Sequence, residues 1–203
     1  MSVLPREVTI FDGLPPAPSS TTMNNLITRY FVRKPELMLI HRSTFLSSPA
    51  QNPILAYSAL AFAGASHEDP EVRNAARRVF YPRLQRLIRA EWESPSLETV
   101  IGMMHAEMLA SHWKLWDQAY YLRARVAFSV TYLRLHSDDF DPRILNSPMG
   151  AYDPWILQET ARRVYWMAMT MDGTVVSRAF HNASDSRMID NESVWPMLMV
   201  GMS

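Results

Sequence analysis

The sequence predicts an all-α fold, a bundle of about six or seven helices. Three observations lead there. Apolar residues recur at i, i+3, i+4 and i+7 in segment after segment, as in Leu97, Val100, Ile101, Met104 and Met108. Helix start signals punctuate the chain: Pro70 after a polar turn, Ser94-Pro95, and Asp153-Pro154. No pair of period-two strand patterns occurs to build a sheet. Apolar residues make up 48% and charged residues 20% of 203 positions, a balance that supports one domain with a real core.

The elements follow in order. Residues 1–22 hold Pro5, Pro15, Pro16 and Pro18 and a Ser-Ser-Thr-Thr run, so they predict an extended, flexible lead-in to a helical domain over 23–203. The Ser/Thr run offers an N-cap for a helix over about 23–32, with Leu26, Ile27, Tyr30 and Phe31 inward and Pro35 ending it. Leu37 to Ile40 read as a buried loop, and Ser43 as the cap of a short turn over Thr44, Phe45 and Leu46. A small-residue helix spans Asn52 to Ala65. From Pro70 a long amphipathic helix runs on to Trp92, and Pro82 should kink or split it. Ser94 as N-cap and Pro95 at N1 start the next helix. The following one, about Leu115 to Leu135, is apolar over much of its surface, which predicts that it lies at the centre of the bundle. A loop covers Asp138 to Asp153, and a last helix starts at Asp153-Pro154 with a Glu159–Arg163 pair. Its pattern dissolves after Val176, and the apolar run Met197 to Met202 reads as an element whose continuation is missing.

Composition excludes some functions. There are no cysteines, which removes disulfides, thiolate nucleophiles and cysteine-based zinc sites. Net charge is zero, so no global field would hold the chain to nucleic acid or an anionic membrane. No apolar run approaches the roughly 20 residues of a membrane helix, and Pro5 and Asp12-Gly13 interrupt any leader pattern. All basic residues but Lys34 and Lys114 are arginines, whose planar, partly buriable heads should pin helices together. No Gly-x-Ser-x-Gly, phosphate loop or His-Glu-x-x-His occurs, so nothing argues for an enzyme.

Four constellations carry sharper readings beside bland ones. Glu98, His105 and His112, spaced by seven, share one side of a helix and are candidate metal ligands, but histidines beside an apolar face are more often packing residues; no metal is expected. His41-Arg42 is a candidate anion site or a pair of helix caps. Arg73, Arg77, Arg78, Arg83, Arg86 and Arg89 form a candidate nucleic-acid stripe, although Glu68, Asp69, Glu71 and Glu91 favour a solvated face. Trp113, Trp116, Tyr120 and Tyr121 are candidates to line a small-molecule pocket or to be core.

Four stretches in order resemble the fungal-specific transcription factor domain, the middle homology region of fungal zinc-module regulators. They are Tyr30-Phe31 followed by His41-Arg42-Ser43-Thr44-Phe45; Pro95-Ser96-Leu97-Glu98-Thr99; Trp116 with Leu133-Arg134-Leu135-His136; and Glu159, Arg162, Arg163 and Trp166 with Asp172. The resemblance covers about residues 26–193. Ser43 replaces the family's proline and Arg134 its glycine; its inner arginine falls at Phe128, and its Gly-Arg-Pro appears as Ser177-Arg178-Ala179. The resemblance implies an all-α regulatory domain, effector-responsive or autoinhibitory, that acts in the nucleus. It implies a small-molecule effector, or a regulatory protein or second copy as partner. No DNA binding is expected from this chain, since the zinc module and the family's C-terminal part are not in it; any zinc would belong to that module. A stand-alone interaction or dimerisation module is the alternative, with a helical enzyme carrying an aromatic or histidine pocket behind it.

Overall fold

The computed structural model describes residues 9–33, 39–47, 52–137, 141–145, 147–151 and 153–185, with the side chains of 172–185 left aside. Among them there is no strand, and the helices form seven rods, as an all-α bundle requires. The order is α1 (Ser20–Arg33), α2 (Arg42–Ser47), α3 (Pro53–Ala65), α4 (Pro70–Ala75), a π-turn (Ala76–Phe80), α5 (Tyr81–Ala90), α6 (Leu97–His112), α7 (Trp116–Tyr132) and α8 (Pro154–Asp185). α4, the π-turn and α5 make one continuous rod. No helix among the described residues is long and apolar enough to cross a membrane.

The centre of the bundle is α6, not α7 as its apolar sequence suggests. In α6 only Met108, Ser111 and His112 escape burial, and α3 is buried nearly as completely. α7 buries one stripe, Ala119, Leu122, Val126, Ser129 and Val130, while Trp116, Tyr120, Tyr121 and Phe128 are about half exposed. Large aromatics raise the apolarity of a helix without deciding which way it faces. Close approach helps place α6 inside: a Cβ on Gly102 would lie 2.6 Å from Ile54 Cγ2, so the Ile54 side chain of α3 seats directly on the α6 backbone.

Local chemistry sets the boundaries. Ser19 caps α1 by accepting from Thr22 N at 3.3 Å, so this helix starts before Met23. His41, not Ser43, caps α2: its Nδ1 lies 2.6 Å from Thr44 Oγ1 and accepts from Thr44 N at 3.4 Å. Asn52 caps α3 through Leu55 N. α6 starts two residues later than Ser94-Pro95 suggests. Ser96 is the N-cap and shares a capping box with Thr99, and the Glu91 carboxylate accepts from both hydroxyls, so the better-satisfied start wins. Asp153 accepts from Trp155 N at 2.9 Å and starts α8 as expected. α8 continues to Asp185, beyond the loss of pattern at Val176, since a polar stretch can extend a helix already nucleated and packed.

The break expected at Pro82 falls just before it, as the π-turn that separates α4 from α5. Proline brings no N–H to the carbonyl four residues back, and its ring crowds that group. The chain answers with the π-turn over Ala76–Phe80, in which Tyr81 N reaches back five residues to Ala76 O. The lead-in is also less free than its prolines imply. Thr9–Phe11 form a 3-10 turn, Phe11 packs edge-on against Tyr57 at 5.5 Å, and Arg86 donates to Ile10 O and Asp12 O at 2.8 and 2.7 Å. Leu39 and Ile40 are buried in a connection without strand, as expected. Pro35, Leu37, the 138–140 part of the loop and the Met197 to Met202 run lie outside the described residues.

α6 and α7 end alike. Leu115 N returns to Ala110 O and Lys114 N to Ser111 O, and Leu135 N returns to Val130 O and Arg134 N to Thr131 O. These are Schellman closures with a left-handed residue, Lys114 at φ 60° and Arg134 at φ 53°. Glycine takes that conformation without the Cβ penalty of about 1 kcal/mol. Lys114→Gly should therefore raise the stability of the chain by about 0.5–1 kcal/mol, read as a higher urea midpoint at unchanged slope.

Candidate functional groove

The sharpest candidates from the sequence do not converge on chemistry. Residues seven apart on a helix lie about 10 Å from one another along its axis, too far for one ion. Glu98, His105 and His112 duly point to three different neighbourhoods. His105 is buried and meets Tyr30 Oη at 3.0 Å, with Phe62 edge-on at 5.4 Å. Burial lowers its pKa to about 4, so it is neutral. With Tyr30 donating to Nε2, the ring proton sits on Nδ1, which has no well-formed partner. Burial likewise raises the pKa of Tyr30.

Glu98 Oε1 accepts from Asn52 Nδ2 at 3.3 Å and Met149 N at 2.7 Å, tying the cap of α3 to the 3-10 turn Pro148–Ala151. Burial raises its pKa, against the pull of its own and Met149's backbone N–H groups. His112 is exposed and lies beside Trp113. Among the described residues no three His, Asp or Glu side chains cluster for a metal.

The arginines serve as struts. Arg73 donates to His67 O and Glu68 O, Arg77 lies over Trp113, and buried Arg83 lies over Phe11. Arg86 holds the lead-in, as described. Arg125 donates to Trp92 O and is sandwiched between Trp92 and Phe128 at 4.8 and 4.7 Å. Arg73, Arg77, Arg78 and Arg89 are exposed, so the stripe is mostly the solvated face expected, with Arg83 and Arg86 turned inward to a ring and to carbonyls. His41 is a cap and Arg42 is exposed, so no built anion site forms there.

The aromatic quartet also disperses. Trp113 packs on Tyr81 at 5.1 Å, Tyr121 stacks on Trp92 at 5.3 Å, Tyr120 lies beside Arg123, and Trp116 faces outward. Tyr81 donates to Gln118 at 3.2 Å, and burial pushes its pKa up to about 12.

A groove of about 370 Å³ opens elsewhere, between the turn after α7 and one face of α8. Leu135 and Ala161 form its apolar floor; His136, Trp155, Glu159, Arg162, Tyr165 and Trp166 stand around it. The Schellman closure at Arg134 aims this turn: it reverses the chain and sets His136 6.4 Å from Tyr165. Trp155 and Trp166, eleven positions apart on α8, are separated by about 16 Å along the axis and are mostly exposed, at 69% and 59%. Between them Arg162 grips Glu159 through Nε and Nη2 at 2.8 and 2.9 Å, and Arg163 adds a third bond at 2.7 Å. Both guanidinium groups hold Glu159 below the usual carboxylate range, so it stays ionised.

The Glu159–Arg163 pair is readable in the sequence and the groove is not. The i, i+4 and i+7 spacing of Trp155, Glu159 and Arg162 is a legible signal; the turn that faces them sends none. The chain matches no protein-family model, no curated protein and no solved structure.

Proposed function

We propose that this chain is the regulatory domain of a fungal-type transcription regulator, effector-responsive or autoinhibitory, with the groove beside α8 as the place where an effector acts. One observation carries the reading. Two of the four stretches that resemble the fungal domain, separated by a loop, meet at this groove: His136 from one, and Glu159, Arg162 and Trp166 from the other. A second supports it. The position where that family carries glycine is here Arg134, held left-handed at φ 53°, the conformation for which glycine is the natural residue.

The mechanism is a shift of population. An occupant touching both His136 and α8 binds one packing of α8 against α7 more tightly than another and biases the pair by that difference. A DNA-binding module joined to the chain would sense the packing. Nuclear localisation belongs to the same proposal.

The test fuses the 203-residue chain to an unrelated DNA-binding module and reads a reporter gene in yeast. The expected result is a reporter output that the fusion alters and that Trp166→Ala changes again, with no specific gel shift by the chain alone. A reporter indifferent to the fusion, or specific and salt-resistant DNA binding by the isolated chain, would overturn the reading.

The exposed aromatics of α7 favour the second reading, a self-association module. Trp116, Tyr120, Tyr121 and Phe128 are each about half exposed, a density of aromatics typical of interfaces. Light scattering with and without added effectors weighs the two: a firm homodimer favours the module, and a ligand-stabilised monomer favours the regulatory domain.

A further inference from the structure

The groove beside α8 fits a segment of this same chain in chemistry, length and tether. It runs from Trp155 to Trp166, about 16 Å along the helix axis, over an apolar floor of Leu135 and Ala161. Inside that span Glu159 is already engaged, by Arg162 Nε and Nη2 and by Arg163 Nε. A charged occupant would compete with those bonds, whereas a neutral apolar one leaves them in place.

Residues 195–200, outside the described ones, read Trp-Pro-Met-Leu-Met-Val, six in a row without a charge. Pro196 favours an extended path at Trp195 over a helical one. Six extended residues span about 17 Å, close to the separation of the two groove tryptophans. Methionine adapts its shape and makes favourable contacts with aromatic rings, and rings stand at both ends of the groove. The tether also fits. α8 ends at Asp185, nineteen positions beyond Trp166 and thirty beyond Trp155, which is about 28 and 45 Å along the axis. A chain doubling back from Asp185 covers up to about 33 Å by Trp195 and about 50 Å by Val200. Both reaches suffice with little to spare, which sets the register: Trp195 at Trp166, Val200 at Trp155.

We propose that residues 195–200 lie antiparallel to α8 in this groove and act as a built-in competitor of the effector that enters it. The competition rests on the groove being the effector site; the contact itself is tested without that reading. A reporter indifferent to the fusion, with the contact present, would remove the regulatory reading and leave the contact standing.

The test is hydroxyl-radical footprinting of the 203-residue chain, read by mass spectrometry at each tryptophan. The parent is compared with Met197→Asp/Leu198→Asp, which puts a charge on each face of an extended segment. Trp155 and Trp166 should be oxidised at least threefold faster in the variant, and Trp116, half exposed on α7, at an unchanged rate. Their protection in the parent should persist on tenfold dilution. Circular dichroism checks folding; should the charged variant not fold, Met197→Gly/Leu198→Gly/Met199→Gly takes its place with the same expected rates. Equal oxidation of Trp155 and Trp166 in parent and variant would overturn the proposal. Protection that fades on dilution would assign the groove to a second copy of the chain and overturn it as well.

Discussion

Arg123→Met should destabilise the chain by about 3–5 kcal/mol, more than any surface substitution would. The reason is the Glu107 carboxylate. Its side chain is 3% exposed on α6, and the Arg123 guanidinium, reaching across from α7, is the only cation that pairs with it among the described residues. Ser111 Oγ adds one neutral hydrogen bond at 3.1 Å. Without Arg123 a buried charge is left with a hydroxyl for company. The pair is not thereby a source of net stability, since desolvating two ions costs about as much as their attraction returns. The double variant Arg123→Met/Glu107→Leu should accordingly recover most of the loss, to within about 1–2 kcal/mol of the parent. Urea unfolding of the parent, both single variants and the double variant at pH 7 gives the cycle. An Arg123→Met variant within about 1 kcal/mol of the parent would mean that Glu107 reaches water.

The second large effect is on pH dependence. His105 titrates at an ordinary value of 6.5 when unfolded and at about 4 when buried. Between those values the unfolded chain binds a proton that the folded chain refuses. The contribution of neutral His105 is therefore complete above pH 6.5 and is lost as pH falls toward 4, at a limiting slope of about 1.4 kcal/mol per pH unit. By pH 4.5 this amounts to about 2.5 kcal/mol.

Glu98 works in the opposite direction. Its folded pKa is raised, so the folded chain takes up that proton first, and acid favours the native state through this group. A difference measurement isolates His105. Tyr30→Phe/His105→Met removes both members of the buried pair, so neither partner is left unsatisfied. The gap in stability between parent and variant should narrow, or move toward the variant, by about 2.5 kcal/mol between pH 7 and pH 4.5. A gap that stays constant over that range would show that His105 takes up its proton in the folded state as readily as in the unfolded one.

How much of this is legible in the sequence depends on what kind of signal each residue sends. Caps and proline starts act locally, so Asn52, Pro70 and Asp153 announce their helices. Where two local signals compete, sequence cannot rank them. Ser94-Pro95 reads as the start, but the Glu91 carboxylate, brought from the preceding helix end, accepts from Ser96 and Thr99 and moves the cap to Ser96. Pro82 announces trouble without saying how the backbone absorbs it. The apolarity of α7 misleads because Trp116, Tyr120 and Phe128 count as apolar whether they lie inside or outside. α6 betrays its central place only through Gly102, one residue whose meaning needs a neighbour. Spacing by seven puts His105 and His112 on one side of α6, yet it cannot say that the first is buried against Tyr30 and the second reaches solvent. The groove is the least legible feature. Its two sides come from stretches about twenty to thirty residues apart, joined by a loop whose path no periodicity describes.

The Tyr30–His105 bond has a further consequence, for the order in which the chain becomes sheltered during synthesis. Its two partners are 75 residues apart in sequence. At a translation rate of about 5–20 residues per second, α1 waits about 4–15 s after its own completion before His105 has even been added. α3, the other surface that α1 packs on, is itself incomplete without α6, because Gly102 and Ile54 close that interface. Leu26, Ile27, Tyr30 and Phe31 are thus displayed together, as an apolar helical stripe, to whatever stands at the ribosomal exit. The nascent chain up to about residue 95 should be a client for holding chaperones, and the release of α6 should end that dependence.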